Sequence, residues 1–321
     1  MNRKYLQEKW AAIRESRTDD KFKILRFFDN PKVELFVAIT AVDERAIIIY
    51  SDNISSIDRL PLDKENISLV IKDDAAVLTL TNIVYQDVFD DLILSIASTL
   101  LNEARSDNHL SLFITKYVEW ATFFRSGSSQ ILPFEQLIGL YGELIVLKQS
   151  LLSGGEFRHS DTISSWRGPF GDVHDFVFEN YDLEVKTKLC KTSTINISSK
   201  YQLEPDGERQ LKLSVVNLVL DDSKGCSLHS LIIAIRDILD YGNSYLNILH
   251  KALDVFDMTL ESSVEYDNHR FTLDSINTYN TMFDGFPKLV TGNMTLGISS
   301  VEYQLDTNAL KPFLISEIEI K

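Results

Sequence analysis

The chain has 321 residues, 44% of them hydrophobic, and a formal net charge of −15. That length suits roughly two ordinary domains, and the acidity argues against a general nucleic-acid coat protein, whose affinity would come from neutralising phosphates. Two cysteines, Cys190 and Cys226, are too few for a disulfide framework or a cysteine-based zinc site. No apolar run reaches the roughly 18 residues of a membrane span, and the opening MNRKYLQEKWAAIRESRTDDK lacks a signal-peptide apolar core. A cytoplasmic, reduced protein with no membrane partner is therefore expected.

In chain order, a short amphipathic helix is expected over Tyr5–Glu15. Strands follow in VELFVAITAV, RAIIIY, ISLVIKD and AAVLTLTNIVY, all rich in Val, Ile and Thr and broken by Asp, Asn and Pro. DLILSIASTLLNEA and HLSLFITKYVEWATFF have helical spacing, the second with Ile114, Tyr117, Val118, Ala121 and Phe124 on one face. RSGSSQ reads as a linker. The next helix begins at Pro133, stops at Ser153-Gly154-Gly155 and carries a stripe of Leu140, Leu144, Leu147 and Leu151 with Glu143 beside it. After a loop containing WRGPFGD, VHDFVF and YDLEVKTKL form a hairpin joined near Glu179-Asn180. STINISS and QLKLSVVNLVL are the next strands, with a turn or short helix around YQLEPDG between them. The last third starts with helical SLHSLIIAIRDIL and SYLNILHKALDVFD, then gives strand-like RFTLDSINTY, MTLGISSVEYQL and FLISEIEI. This divides into an N-terminal α/β domain over 1–125, a core over 126–222 and a C-terminal extension over 223–321 packing on the core.

Side chains alternate faces along a strand. DLEVKTKL therefore puts Asp182, Glu184, Lys186 and Lys188 on one face, and Leu183, Val185 and Thr187 on the other. Asp175 lies on the partner segment and Glu143 on the preceding helix. Carboxylates and a lysine gathered this closely are costly to bury unless they pair or hold a metal. The spacing alone is weak: Glu319-Ile320-Lys321, Asp19-Asp20-Lys21 and Asp222-Ser223-Lys224 repeat it elsewhere, and most such triplets are solvated surface. Context distinguishes the central one. It alone follows a leucine-striped helix with a glutamate and a segment with an upstream aspartate.

GLYGELIVL, WRGPFGDVHDF, YDLEVKT and INISSKYQL together resemble the PD-(D/E)XK nuclease superfamily. More narrowly they resemble its bacterial members of formerly unknown function, found near restriction and phage-defence genes. The resemblance covers about residues 133–220. It implies an α/β (α+β) fold with a restriction-endonuclease-like central mixed sheet flanked by helices. Residue by residue, Asp175 matches the motif aspartate, Glu184 and Lys186 the Glu-x-Lys pair, and Glu143 the helix glutamate that joins the metal shell. Ser199 and Gln202 stand where members keep a polar side chain. One departure is His174 where a proline often precedes the aspartate.

The resemblance implies a Mg²⁺- or Mn²⁺-dependent endonuclease acting on DNA, double-stranded first. Asp175, Glu184 and Glu143 would bind metal, Lys186 would position the attacking water, and Gln202 would assist. It would serve restriction or phage defence, with other defence proteins as partners, and double-strand cleavage would favour a homodimer. Lys186, Lys188, Lys191 and Lys200 form a local basic cluster, whereas residues 216–321 carry net −8. Arg167 is a phosphate-contact candidate. Trp166 and Pro169 are expected to pack the loop, with base stacking as the rival role for Trp166. Cys190 is expected to be a small core residue. The alternative function is an inactive nuclease-like scaffold for defence subunits, and a third is an RNase or nickase. No phosphate-binding glycine loop, GxSxG elbow or HExxH is present.

Overall fold

A computed structural model of the chain describes residues 2–16, 23–30, 33–51, 63–72, 74–105, 108–125, 131–239, 245–295, 297–298 and 300–319. The expected linker after Arg125 and the triplets Asp19–Lys21 and, in part, Glu319–Lys321 lie outside these residues. Two compact units form. The first comprises Met1–Gly127, Leu239–Asp254 and Thr259–Ser262, and the second comprises Ser128–Ile238, Val255–Met258 and Ser263–Lys321. The expected three-part division differs in two ways. Residues 239–254 belong with the first unit, and the expected core shares one sheet with the C-terminal strands.

In the first unit, α1 (Arg3–Glu15), α2 (Gln86–Asn102) and α3 (His109–Trp120) accompany an antiparallel sheet. Its strands are β1 (Lys23–Arg26), β2 (Leu35–Ile39), β3 (Arg45–Tyr50), β4 (Asp63–Lys64), β5 (Ile67–Lys72) and β6 (Ala75–Leu80), in the order β1-β2-β3-β6-β5-β4. β6 ends before TNIVY, because the Asn82 side chain accepts from Val84 N–H and winds Ile83–Tyr85 into a 3-10 turn. Val118 was expected on the buried face of α3 and is instead 56% exposed. Phe113 takes its place with Ile114 and Tyr117. Two buried carboxylates on α2 are paired: Asp90 with Arg45 at 2.9 Å and Asp91 with Arg3 at 2.8 Å.

The second unit carries the fold that positions the candidate site. α4 (Phe134–Gly154) has Leu140, Leu144, Leu147 and Leu151 buried, and ends at Gly155, whose φ of 69° favours glycine. α5 (His159–Ser165) follows, then β7 (Phe176–Val177), β8 (Tyr181–Leu189) and β9 (Thr194–Ile197). Next come β10 (Gln210–Leu220), β11 (Cys226–Ser227), α6 (Leu228–Leu239), α7 (Leu246–Val255, nearly all of it in the first unit), β12 (Arg270–Asn280), β13 (Tyr303–Asp306) and β14 (Leu314–Glu319). The sheet runs β11-β12-β10-β8-β7, with β14 also on β12. β8 and β10 are parallel, while β12 and β7 pair antiparallel with their neighbours, so the sheet is mixed as expected.

Two expectations change here. VHDFVF is strand only at Phe176–Val177, so Asp175 sits in the bend before β7 rather than on a strand. STINISS does not extend the sheet either: β9 pairs with β13 in a separate two-stranded ribbon. The pleat explains the layers. α4 approaches one sheet face so closely that a β-carbon on Gly142 would lie 1.8 Å from Thr187 Oγ1. On the other face Leu213, Val215 and Tyr279 pack with Ile195, Ile197 and Leu305 of the ribbon. Glu184, Lys186 and Lys188 are in register with Leu213, Val215 and Asn217 on this second face.

Candidate active site

The open edge of β8 creates the site. Among the described residues β7 pairs with Asp182 and Leu183 of β8, and no strand flanks β8 on that side beyond them. Asp175 fills the role: its Oδ2 accepts the Val185 backbone N–H at 2.7 Å. The loop before it is tied down in turn, since Arg167 N–H and Gly168 N–H both donate to the Asp175 carbonyl, at 2.8 and 3.0 Å. Trp166 is fully buried, bridges to Phe176, and donates its indole N–H to Glu143 Oε2 at 2.8 Å. Its 0% exposure excludes the base-stacking role and bears out the packing one. Pro169 is buried beside it.

Glu143 and Asp175 meet at Gly168. A β-carbon placed there would lie 2.9 Å from Glu143 Oε2 and 2.8 Å from Asp175 Oδ1, so only glycine leaves both oxygens room. Glu184 is 0% exposed. Its Oε1 forms an ion pair with Lys186 Nζ at 2.7 Å. Glu184 Oε2 has no hydrogen-bond partner. Lys186 keeps 15% of its side chain exposed, enough to reach an incoming group.

The carboxyls titrate as neighbours. Burial, reinforced by the Asp175 charge, pushes Glu184 from 4.5 up to about 8, against the pull of Lys186. Burial and then the Asp175 charge hold Glu143 well above the ordinary carboxylate value, opposed by the Trp166 hydrogen bond. Burial also raises Asp175, against Lys186 and the Val185 N–H. Like charges brought together out of water favour a shared proton or a bound cation.

Among the described residues, no three His, Cys, Asp or Glu side chains stand ready as an ion cage. Each carboxylate is turned to a protein donor: Trp166, Val185 N–H or Lys186. Even so, the donor set fits a hard cation. It offers hard oxygens, one of them buried and unpartnered on Glu184, and a space at Gly168 that any β-carbon would fill.

Other expected residues fall at varied distances from this cluster. Gln202 turns its Oε1 to the Ser198 N–H at 2.9 Å, and Ser199 caps the Lys200–Leu203 turn through Tyr201 N–H, so both brace their own loop. Arg167 is 47% exposed and paired with Asp172 at 2.8 Å. Cys190, expected in the core, is exposed, because β8 ends at Leu189 and Cys190 opens the turn that follows. His174 is buried with its Nδ1 3.3 Å from Asp182 Oδ2, while its Nε2 has no partner. Asp182 also accepts from Arg209 Nε at 2.9 Å, and Arg209 reaches on to the Phe178 carbonyl. That clamp fixes the β7–β8 turn and went unread in the sequence, since 27 residues separate its partners and no local pattern links them. Gly168 was also missed, although a glycine directly after WR in a loop before the key aspartate was visible.

A family model described as "Putative PD-(D/E)XK family member" matches residues 6–308. The chain belongs to that family. As a PD-(D/E)XK member it has the α+β fold expected from the resemblance, and the match runs beyond 133–220 into both flanks. Neither a curated protein nor a solved structure matches. No helix among the described residues is long and apolar enough to cross a membrane.

Proposed function

We propose that this protein is a divalent-cation-dependent endonuclease that hydrolyses phosphodiester bonds in DNA. The observation that carries the reading is the meeting of Glu143 and Asp175 at Gly168 beside the buried, half-unpartnered Glu184, with Lys186 against it. Asp175, Glu184 and Glu143 would hold the cation, Mg²⁺ or Mn²⁺. When bound, the cation supplies positive charge against phosphate oxygens and acidifies water.

The chain's own groups do the rest. Val185 N–H fixes one Asp175 oxygen and leaves the other at Gly168. Trp166 sets the Glu143 rotamer. Lys186 donates N–H groups to the attacking water and offsets the charge that develops on the phosphate. Its pairing with Glu184 keeps the ammonium in place until a phosphate competes for it. Service in restriction or phage defence, with partner proteins reading the target, fits the chain's net charge of −15, which disfavours unaided binding to long DNA. Double-strand cleavage would favour a homodimer.

The second reading is an inactive scaffold that binds defence subunits. It is favoured by the three carboxylates each being engaged by a protein donor. Incubation with Mg²⁺ or Mn²⁺ and supercoiled DNA, single strands or RNA separates the readings. Cleavage of DNA that Lys186→Ala lowers by at least about a hundredfold is expected. Cleavage of RNA alone, or nicking alone, would redirect the substrate. No cleavage of any substrate, or equal cleavage by Lys186→Ala, would leave the scaffold.

A further inference from the structure

The second face of the central sheet holds a cleft that the reading above does not use. Lys188, Asn217, Asn277, Tyr279, Asn308 and Lys311 line it. Strand register explains how they meet. Lys188 pairs with Asn217, Asn277 with Val215, and Val215 with Lys186. The cleft is therefore the continuation, along one face, of the row Glu184, Lys186, Lys188. The 3-10 segment Thr307–Phe313 brings Asn308 and Lys311 over it.

We infer that this cleft seats the nucleotide next to the one being cut, with its phosphate against Lys188 and Lys311. The inference rests on the nuclease reading and adds to it a place and a direction for the strand. Two residues of β-strand advance about 6.5 Å, so Lys186 and Lys188 are spaced on the scale of one phosphate step along an extended strand. The charge is locally inverted: two lysines face one glutamate, Glu317, in a chain of net −15. Glu317 is itself committed, because its Oε1 accepts from Asn277 Nδ2 at 2.8 Å. Asn277 Oδ1 in turn accepts from Asn217 Nδ2 at 2.8 Å. This braced amide row offers a polar floor for sugar and base edges, above the buried Tyr279. Lys188 is only lightly held, by the Thr192 carbonyl in an exposed contact, and Lys311 is exposed. Both can turn to a phosphate.

The test uses the full chain in EDTA, where binding is separated from cleavage, with a short fluorescein-labelled DNA duplex and anisotropy as readout. Lys188→Ala/Lys311→Ala should bind about tenfold or more weakly, and its log Kd–log salt slope should shrink by about one to two. Lys188→Arg/Lys311→Arg should restore binding. Thermal melting checks that the variants fold, as expected with Lys311 exposed and Lys188 half-buried. Glu184→Gln should bind like the native chain and fail to cleave. Equal affinity and slope in the double-alanine variant would overturn the cleft. So would loss of binding confined to a free deoxynucleoside monophosphate while the duplex still binds. The two readings fail separately. Native cleavage with lysine-independent binding sinks the cleft alone, whereas lysine-dependent binding with no cleavage under Mg²⁺ or Mn²⁺ supports the cleft and sinks the nuclease.

Discussion

Glu184 is the residue on which most of the energetics turns. Its carboxyl rises from 4.5 to about 8, first because burial disfavours the charge and then because Asp175 stands near. A carboxyl that keeps its proton in the folded chain and has lost it in the unfolded one makes stability fall as pH rises. Its contribution is therefore full below 4.5, is lost progressively above that, and is gone once pH passes about 8. Glu184→Gln removes that slope. Urea unfolding of the metal-free protein should find the variant gaining on the native chain between about pH 5 and about pH 8. A constant difference across that range would show that Glu184 ionises normally. The pairing of Glu184 with Lys186 was readable in YDLEVKT because acid and lysine share one pleat face. The partners of Glu143 and Asp175 were not, because an indole and a backbone N–H leave no spacing signature.

At the scale of elements, the contact of α4 with β8 sets the site. Glycine inside a helix ordinarily costs about 1 kcal/mol relative to alanine, so Gly142→Ala would stabilise α4 in isolation. Here the added carbon would meet Thr187 Oγ1 at 1.8 Å and Cβ at 2.9 Å. Overpacking of this kind costs about 1–3 kcal/mol, and it outweighs the propensity gain. Gly142→Ala should therefore lower the urea midpoint and weaken activity by displacing the neighbouring Glu143, and Thr187→Ala should recover part of both. A midpoint that stays or rises would mean that the helix and strand do not touch there. The leucine stripe of α4 and the long strands β8, β10 and β12 were legible from period and length. The short β7 and the detached β9 were not. β9 leaves the sheet to bury Ile195 and Ile197 with Leu305 and Leu310, and those partners lie more than a hundred residues on.

At the scale of the whole chain, two features of the sequence had to be read together. Excess acid in residues 216–321 suggested that the C-terminal third stands apart from a polyanion. Yet β12, β14 and the Thr307–Phe313 segment return to the central sheet and line its cleft with Lys311. Net charge by segment says nothing of which side chains the topology brings home. The family match over residues 6–308 takes in both flanks along with the motif region. The central claim is that Glu143, Asp175 and Glu184 serve one cation. Titration of the metal-free protein with Mn²⁺, followed by calorimetry, tests it most directly. One high-affinity site per chain, lost in Asp175→Asn and in Glu184→Gln and weakened in Gly168→Ala, is the result predicted. Binding that is absent in the native chain, or that survives both carboxylate substitutions, would contradict it.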